Sequence, residues 1–312
     1  MKLISIVLPC YNEEANIPIL YDSICNIINK IDNYNFELLF IDNCSKDKSV
    51  EIIEELSKKD KRVKAIVNAN NYGTVKSPYY GLLQAYGDAV IMMASDLQDP
   101  PEMIEKFISR WEKGAYIVAG VKTSSEESKG MYFLRSLYYK AVKKLSANEQ
   151  IEHFTGFGLY DKKVIDVLRE LNDPYPYLRG IITELGFKVE TIAFKQPARL
   201  NGKSKNNFFT LYDFAILGIV SQSKLPMRLL TIGGFALSIF SMLLSILFII
   251  LKLCFWNEFP IGIIPILCGI FFFASVQLFF IGLLGEYVML IYTKVANRPL
   301  VVENRRINFK EV

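Results

Sequence analysis

The chain contains few of the residues that most often bind transition metals or hold nucleoside triphosphates. Its 312 residues include one histidine and five cysteines, and the cysteines lack the paired spacing of a zinc site. No Gly-x-Gly-x-x-Gly segment and no Walker loop occurs, which argues against the common dinucleotide-binding and NTPase folds. The odd cysteine count favours reduced thiols in a cytoplasmic setting.

The charge balance is only weakly basic. The net charge is +4 at neutral pH, and the isoelectric point is about 8.6. This bias suits contact with anionic lipid headgroups and with substrates that contain phosphate. It is too small to indicate a nucleic-acid partner, and we expect none.

Hydrophobic residues make up 51% of the chain, and they concentrate near its C-terminal end. Residues 229–251 and 259–285 contain no charged residue, and each run is long enough to cross a hydrocarbon core of about 30 Å as a helix. Two buried core helices are the alternative, which the short link 252–258 makes less favourable. The sequence therefore predicts two transmembrane helices.

Basic residues lie on the outer sides of these two runs, which sets their predicted orientation. The link between the runs, residues 252–258, contains one basic residue, Lys252. We expect a multi-pass protein of the plasma membrane with both termini in the cytoplasm. The flanking basic residues are Lys203, Lys205, Lys224 and Arg228 before the runs and Lys294, Arg298, Arg305 and Arg306 after them.

Residues 1–206 alternate between strand and helix signals, which predicts a doubly wound α/β domain with a parallel sheet. The apolar run 3–8 is too short for a signal peptide and precedes Pro9, so it is interpreted as the first strand. Residues 207–228 form the next predicted unit, an amphipathic juxtamembrane helix and linker. A core helix of the soluble domain is the alternative there. Residues 229–312 would contain the two spans and a cytoplasmic tail.

An acidic stretch at residues 95–102 follows the apolar run 89–94, which is predicted to be a strand. It presents the side-chain oxygens of Asp96, Gln98 and Asp99, which suit Mg²⁺ or Mn²⁺ with positions left for phosphate oxygens. The alternative is an acidic loop that only caps the helix predicted after Pro100 and Pro101.

Two further polar clusters follow predicted strands, at residues 9–13 and 42–45. Ligands of such sheets bind outside the carboxyl ends of the strands. Tyr11 is suited to stack on a nucleobase, and Glu13 or Asp42 to accept hydrogen bonds from base or ribose. A metal and a nucleotide diphosphate without a glycine-rich loop indicate a nucleotide-sugar.

The chain resembles, over nearly its whole length, the polyprenyl-phosphate glycosyltransferases of the GT-A fold in glycosyltransferase family 2. This group includes dolichol-phosphate mannose synthase and bactoprenol glucosyltransferases. The matching pieces are residues 5–14, Ile41 with Asp42, Gly87 with Asp88, residues 96–102, residues 178–180, Arg199, residues 202–205 and the two apolar runs.

The resemblance implies which residues act. Asp96 and Gln98 would hold the metal, and Arg199 and Lys205 would bind phosphate oxygens, so Asp96, Arg199 and Lys205 are the candidate catalytic residues. It also implies a homo-oligomer, possibly a tetramer. The candidate residues for binding the nucleotide-sugar are Pro9, Tyr11, Asn12, Glu13, Asp42, Ser95 and Lys122.

The chain departs from the family pattern at several positions. Ala94 replaces the first carboxylate of an Asp-x-Asp motif, and Asn43 stands where a second Asp often follows Asp42. Asn70 and Lys122 stand where the family usually has arginine. Gly156 occupies the position of an aspartate that is a candidate base in relatives.

These observations predict an inverting transfer of a hexose or N-acetylhexosamine, UDP-linked, to polyprenyl (undecaprenyl) phosphate. The second pKa of a phosphate monoester is about 6, so the nucleophile is already ionised and a strong base is dispensable. Glu152 and His153 are near the altered loop, and we interpret His153 as a surface residue. The alternatives are a polysaccharide-chain glycosyltransferase and a non-catalytic membrane scaffold that binds sugar nucleotides.

Overall fold

The computed structural model describes residues 1–124, 151, 153–197, 225–254, 263–296 and 298–309. Strands and helices alternate through the first part of the chain and build one eight-stranded sheet. The strands are β1 (Lys2–Cys10), β2 (Tyr34–Asp42), β3 (Val63–Asn68), β4 (Ala89–Met92), β5 (Ile117–Ser124), β6 (Phe154–Asp161), β7 (Val189–Lys195) and β8 (Glu303–Ile307). The helices are α1 (Ile17–Ile28), α2 (Ser49–Lys59), α3 (Gly73–Gln84), α4 (Met103–Glu112), α5 (Lys162–Leu171), α6 (Leu178–Glu184), α7 (Leu225–Cys254) and α8 (Ile263–Val295).

The sheet is mixed rather than wholly parallel. Its order is β7-β5-β6-β4-β1-β2-β3-β8, and the four strands from β4 to β3 are parallel. β6 lies antiparallel to β4 and β5, and β8 lies antiparallel to β3. The predicted parallel direction is therefore right for β1 to β5 and β7 and wrong for β6 and β8. Strand β8 follows α7 and α8 in the chain and is not joined to β3 by one crossover helix. The preference for parallel pairing in βαβ units therefore does not apply to it.

Both faces of the central strands are buried, which explains why these strands are apolar almost throughout. On β1, Ile4, Ile6 and Leu8 pack into the cluster under α1, α2 and α4, while Val7 packs into the cluster under α3, α5 and α6. Burying a side chain of this size contributes about 1.5–3 kcal/mol. The two cores hold the strands whose carboxyl ends carry the polar clusters.

The two C-terminal helices, α7 and α8, lie at the predicted apolar runs 229–251 and 259–285, but their boundaries differ from those of the runs. Helix α8 continues beyond residue 285 to Val295. Within the described part of the chain, Gly269–Val295 is the one segment long and apolar enough to cross a membrane, with mean hydropathy 1.8. Helix α7 contains the shorter apolar stretch Thr231–Leu243. The transmembrane helix predicted at residues 229–251 therefore stays a prediction. Of the predicted juxtamembrane helix and linker, residues 225–228 belong to α7, and residues 207–224 lie outside the described residues.

The chain after α8 returns to the sheet, a feature that sequence analysis missed. Residues 298–309, called here the return segment, pass beside α3 and end in β8 at the free edge of β3. Leu300 and Val301 are buried in the core cluster under α3. The segment predicted to be a cytoplasmic tail is therefore part of the α/β domain.

Candidate functional site

Three polar clusters meet at one edge of the sheet, as the sequence predicts. Strand pairing places Cys10 beside Asp42, and β4 lies on the other side of β1. The backbone N–H of Asn43 donates to the carbonyl of Cys10 at 3.0 Å, and that of Ser95 donates to the carbonyl of Pro9 at 3.3 Å. The carboxyl ends of three strands therefore form one continuous surface.

Asp42 is fully buried at the end of β2. Its Oδ2 accepts a hydrogen bond from the backbone N–H of Ser45 at 3.0 Å. Burial raises the pKa of the Asp42 carboxyl, and the hydrogen bonds from Ser45 oppose this shift. The Cys10 thiol lies 3.9 Å from Asp42 Oδ1, and burial raises the pKa of Cys10 well above its usual value. Asp42 is thus a fixed acceptor beside an unreactive thiol.

The loop after β1 is tied to the loop after β2 by side chains. The Asn12 N–H donates to Ser45 Oγ at 2.8 Å, and Asn12 Oδ1 accepts from the Lys46 N–H at 2.7 Å. The Glu13 N–H donates to Ser49 Oγ at 2.9 Å. Asn12 has a φ of 54°, a left-handed conformation that asparagine tolerates better than most residues. Tyr11 is half-buried and directly follows Cys10, the residue that pairs with Asp42 in the strand register.

Asparagines that sequence analysis did not select connect β2 to the loop after β3. Asn43 Oδ1 accepts from Asn68 Nδ2 at 3.2 Å and from the Tyr72 N–H at 2.9 Å. Asn43 Nδ2 donates to Asn71 Oδ1 at 2.9 Å and to the carbonyl of Gly73 at 3.2 Å. An aspartate at position 43 would lack the two donors, so the departure from the family pattern has a local structural reason.

The acidic turn after β4 has two carboxylates in different environments. Asp96 is half-buried, and its Oδ1 accepts from the Gln98 N–H at 3.2 Å across Leu97, whose φ is 62°. Asp99 is buried, and its Oδ2 accepts from the Ala94 N–H at 2.9 Å. Burial raises the pKa of Asp99 to about 7; the Ala94 N–H opposes the shift, Asp96 adds to it and the charge of Lys122 opposes it.

This turn suits a divalent cation that keeps most of its ligands outside the protein. The described residues contain no group of three or more histidine, cysteine, aspartate and glutamate side chains that would enclose a metal. Asp96 and Gln98 instead offer half-buried oxygens, as Mg²⁺ sites that also use substrate phosphates do. The buried Oγ of Ser95 has no hydrogen-bond partner among the described residues, so the turn also contains an unused polar atom.

Lys122 lies on β5 at the far side of the acidic turn. Its Nζ donates to Gln196 Oε1 at 2.9 Å, and its backbone N–H donates to the carbonyl of His153 at 3.3 Å. Gln196 is a second residue that sequence analysis did not select. Its position just after β7, which pairs with β5, is the signal that would have found it. Arg199, Lys205 and Glu152 lie outside the described residues.

Gly156 stands where the family resemblance implies an aspartate as a candidate base, and glycine has no side chain for that role. Its φ is +104°, and an added Cβ would lie 2.5 Å from Met92 Cε. Its carbonyl accepts from the hydroxyl of Tyr160 at 2.7 Å. The backbone here therefore favours glycine.

Comparison with known proteins identifies matches over most of the chain. The family described as Glycosyl transferase family 2 matches residues 5–168. A Shigella flexneri protein named SfII prophage-derived bactoprenol glucosyl transferase is 34% identical over 298 residues, which cover 95% of this chain and 96% of the relative. The bactoprenol glucosyl transferase of Shigella phage SfV is 33% identical over 306 residues, covering 97% and 99%.

Solved structures that match part of the chain include glucosyl-3-phosphoglycerate synthase from Mycobacterium tuberculosis in complex with Mn²⁺, uridine diphosphate and glucosyl-3-phosphoglycerate. That protein is 18% identical, with a TM-score of 0.46, and the match covers 70% of this chain and 78% of that one.

Proposed function

Because the chain belongs to glycosyltransferase family 2, we propose that it transfers a hexose or an N-acetylhexosamine from a UDP-sugar to polyprenyl phosphate at the cytoplasmic face of the plasma membrane. The proposal that the acceptor is a polyprenyl phosphate is supported by the length of chain over which the relatives match. Relatives named bactoprenol glucosyl transferase match at least 95% of this chain, which includes the apolar helices as well as the sheet. An enzyme that uses a lipid acceptor has a reason to keep both parts.

In this proposal the nucleotide lies over the ends of β1 and β2. Asp42 is a buried acceptor fixed by Ser45, which suits an N–H of the base or a ribose hydroxyl. Tyr11 follows Cys10, the strand partner of Asp42, is half-buried and offers a ring on which the base stacks. Glu13 is held by Asn16, whose Nδ2 donates to Glu13 Oε2 at 2.5 Å, so its carboxylate keeps one orientation.

The diphosphate then lies over the acidic turn and Lys122. Asp96 and Gln98 would hold Mg²⁺ or Mn²⁺, which when bound neutralises the charge of the leaving nucleoside diphosphate. The Lys122 ammonium adds a positive charge at the same corner, and Arg199 and Lys205 are proposed to bind phosphate oxygens.

The acceptor phosphate attacks the anomeric carbon from the side opposite the leaving group, which inverts the configuration. A phosphate monoester is mostly ionised at neutral pH because its second pKa is about 6. No residue has to remove a proton from it, which agrees with the bare backbone at Gly156. Residues 229–251 and 259–285 would hold the domain at the membrane where the lipid is.

The test is the release of nucleoside diphosphate from UDP-, GDP- and dTDP-sugars by the purified full-length protein in detergent with Mn²⁺. We expect release from a UDP-sugar only when undecaprenyl phosphate is present, with a sugar-phospholipid product. Asp96→Ala should lower the rate by about 100-fold or more, as expected for a lost metal ligand. Glu105→Ala, which removes an exposed carboxylate in the first turn of α4 and outside the acidic stretch, should leave the rate unchanged.

The same measurement examines a second candidate, a sugar-nucleotide-binding protein without turnover. Ala94 and Gly156 favour it, because the family resemblance implies a carboxylate at each of these two positions. Metal-dependent binding of UDP with every donor left intact would support this candidate and contradict the transferase.

A further inference from the structure

The return segment is anchored in the core of the α/β domain. Leu300 and Val301 are 9% and 6% exposed and belong to the cluster that contains Ile41 and Ile66 of β2 and β3. Beyond them, β8 pairs with β3, and Asn308 Nδ2 donates to the carbonyls of Lys61 and Val63 at 3.1 and 2.8 Å. The segment is therefore a packed part of the domain rather than a loose end.

The same segment supports the loop between β3 and α3 from both sides. At the start of the loop, the Ala69 N–H donates to the carbonyl of Val302 at 2.9 Å. Beyond the loop, the hydroxyl of Tyr80 on α3 donates to Glu303 Oε1 at 2.6 Å. Arg306 donates to Gln84 Oε1, also on α3, at 2.7 Å.

That loop in turn holds the residue next to Asp42. The Tyr72 N–H and Asn71 Oδ1 both bond to the Asn43 amide at 2.9 Å. Contacts are thus continuous from Val302 through residues 69–73 to Asn43. The return segment begins shortly after α8, whose Lys294 lies 3.2 Å from Asp173 of the domain.

We propose that the return segment is a positioning element for the nucleotide side of the active site. By holding residues 69–73 it keeps Asn43, and with it Asp42, in the binding geometry before the nucleotide arrives. Such preorganisation lowers the cost of binding. The proposal rests on the proposed function, because it assigns Asp42 to the nucleotide. It also connects the end of the apolar helix α8 to the donor pocket.

The test compares two neighbouring valines in the full-length protein. Val301 is 6% exposed and Val302 is 50% exposed, so Val301→Asp should detach the segment while Val302→Asp is its matched control. Hydrogen exchange at residues 69–73 should become faster in Val301→Asp only. The dissociation constant of UDP with Mn²⁺ and the KM for the donor should rise about 3- to 30-fold, with kcat unchanged.

If the Val301→Asp variant does not fold, a second pair of variants with smaller changes, Val301→Ala and Val302→Ala, tests the same proposal. Val301→Ala should shift exchange and UDP affinity in the same direction by less, against Val302→Ala. Faster exchange across β3 and β8 with unchanged exchange at residues 69–73, or with unchanged UDP affinity, would overturn the proposal. If the unmodified protein binds no nucleotide, the proposed function fails, and exchange at residues 69–73 alone then decides whether the segment positions the loop.

Discussion

The two halves of the candidate site are built differently. In the nucleotide half, formed by the loops after β1, β2 and β3, hydrogen bonds run between loops that are far apart in sequence, as from Asn12 to Ser45 and from Tyr72 to Asn43. In the acidic half, residues 94–99, the Ala94 N–H donates to Asp99 and the Gln98 N–H donates to Asp96 within one turn, and the Ser95 N–H donates to the carbonyl of Pro9 on β1. The nucleotide half is thus tied together by side-chain bonds between loops, whereas the acidic half has side-chain bonds within its own turn and a backbone bond to β1.

The difference has an energetic consequence. Each intramolecular hydrogen bond contributes about 1 kcal/mol, so several bonds across loops hold the nucleotide half against rearrangement. In the acidic half Asp96 and Asp99 lie near Lys122, and burial raises the pKa of the Asp99 carboxyl. A cation and a diphosphate would offset that charge, so we expect order in the acidic half to depend more on ligands.

The largest effect should come from removing the donors at the centre of the nucleotide half. Asn43→Asp loses the bonds to Asn71 Oδ1 and the Gly73 carbonyl and buries a second charge next to Asp42. We expect a loss of about 3 kcal/mol in the free energy of unfolding, measured by urea denaturation in detergent. Asn70→Asp is the control, because Asn70 is exposed and its Oδ1 acts as an acceptor, for the Asn71 N–H. Equal losses in the two variants would contradict the central role of Asn43.

A smaller loss is expected from restoring a side chain beside the acidic half. Gly156→Ala places a Cβ at a φ of +104° and against Met92, which should cost about 2 kcal/mol without raising turnover. Gly114→Ala has a φ of +90° and open space around the Cβ, so it reports the backbone strain alone. The difference between their unfolding free energies measures the contact with Met92, and a gain in turnover at Gly156→Ala would refute the role given to this glycine.

Removing the charge of Lys122 should have a smaller effect than either of these changes, a loss of about 1.4 kcal/mol in transition-state stabilisation. Lys122→Met removes the positive charge that opposes the carboxylates of the acidic half, so we expect kcat/KM to fall about 10-fold. Lys122→Arg keeps the charge and should retain most of the activity. Steady-state rates at saturating metal provide the comparison, and equal rates in the Met and Arg variants would rule out a role for charge.

The smallest perturbation is chemical labelling of the native protein. Burial raises the pKa of the Cys10 thiol well above its usual value, whereas Cys254 is exposed. Alkylation followed by mass spectrometry should show Cys10 reacting at least about 10-fold more slowly than Cys254 until the protein is unfolded. Similar rates would mean that the nucleotide half opens readily in solution.

The sequence predicted much of this architecture because its signals are local. The apolar runs 3–8 and 89–94 predicted β1 and β4 near their observed positions, and the polar clusters 9–13 and 42–45 predicted the meeting of Asp42 with the segment after β1. Parallel strands bring their carboxyl ends together whatever the details of packing. Glycosyltransferase family 2 was also identifiable from motifs such as residues 96–102.

The directions of β6 and β8 and the asparagine contacts could not be predicted in this way. Strand β8 has the sequence ENRRI, which alternates little and carries charge, and it pairs with β3 because Leu300 and Val301 bury their side chains beside α3. Asn43 acquires its partners only because Asn68, Asn71 and Tyr72 belong to a neighbouring loop.

The sequence by itself therefore determined the alternation of strands and helices in the first part of the chain, the apolar helices and the chemical character of the site, because propensity, hydropathy and residue type act over short stretches of chain. Tertiary structure alone decided which strands run antiparallel, how the return segment docks, and which amides hold Asp42 in place. Those features depend on contacts between residues distant in sequence, and such contacts exist only once the sheet has assembled.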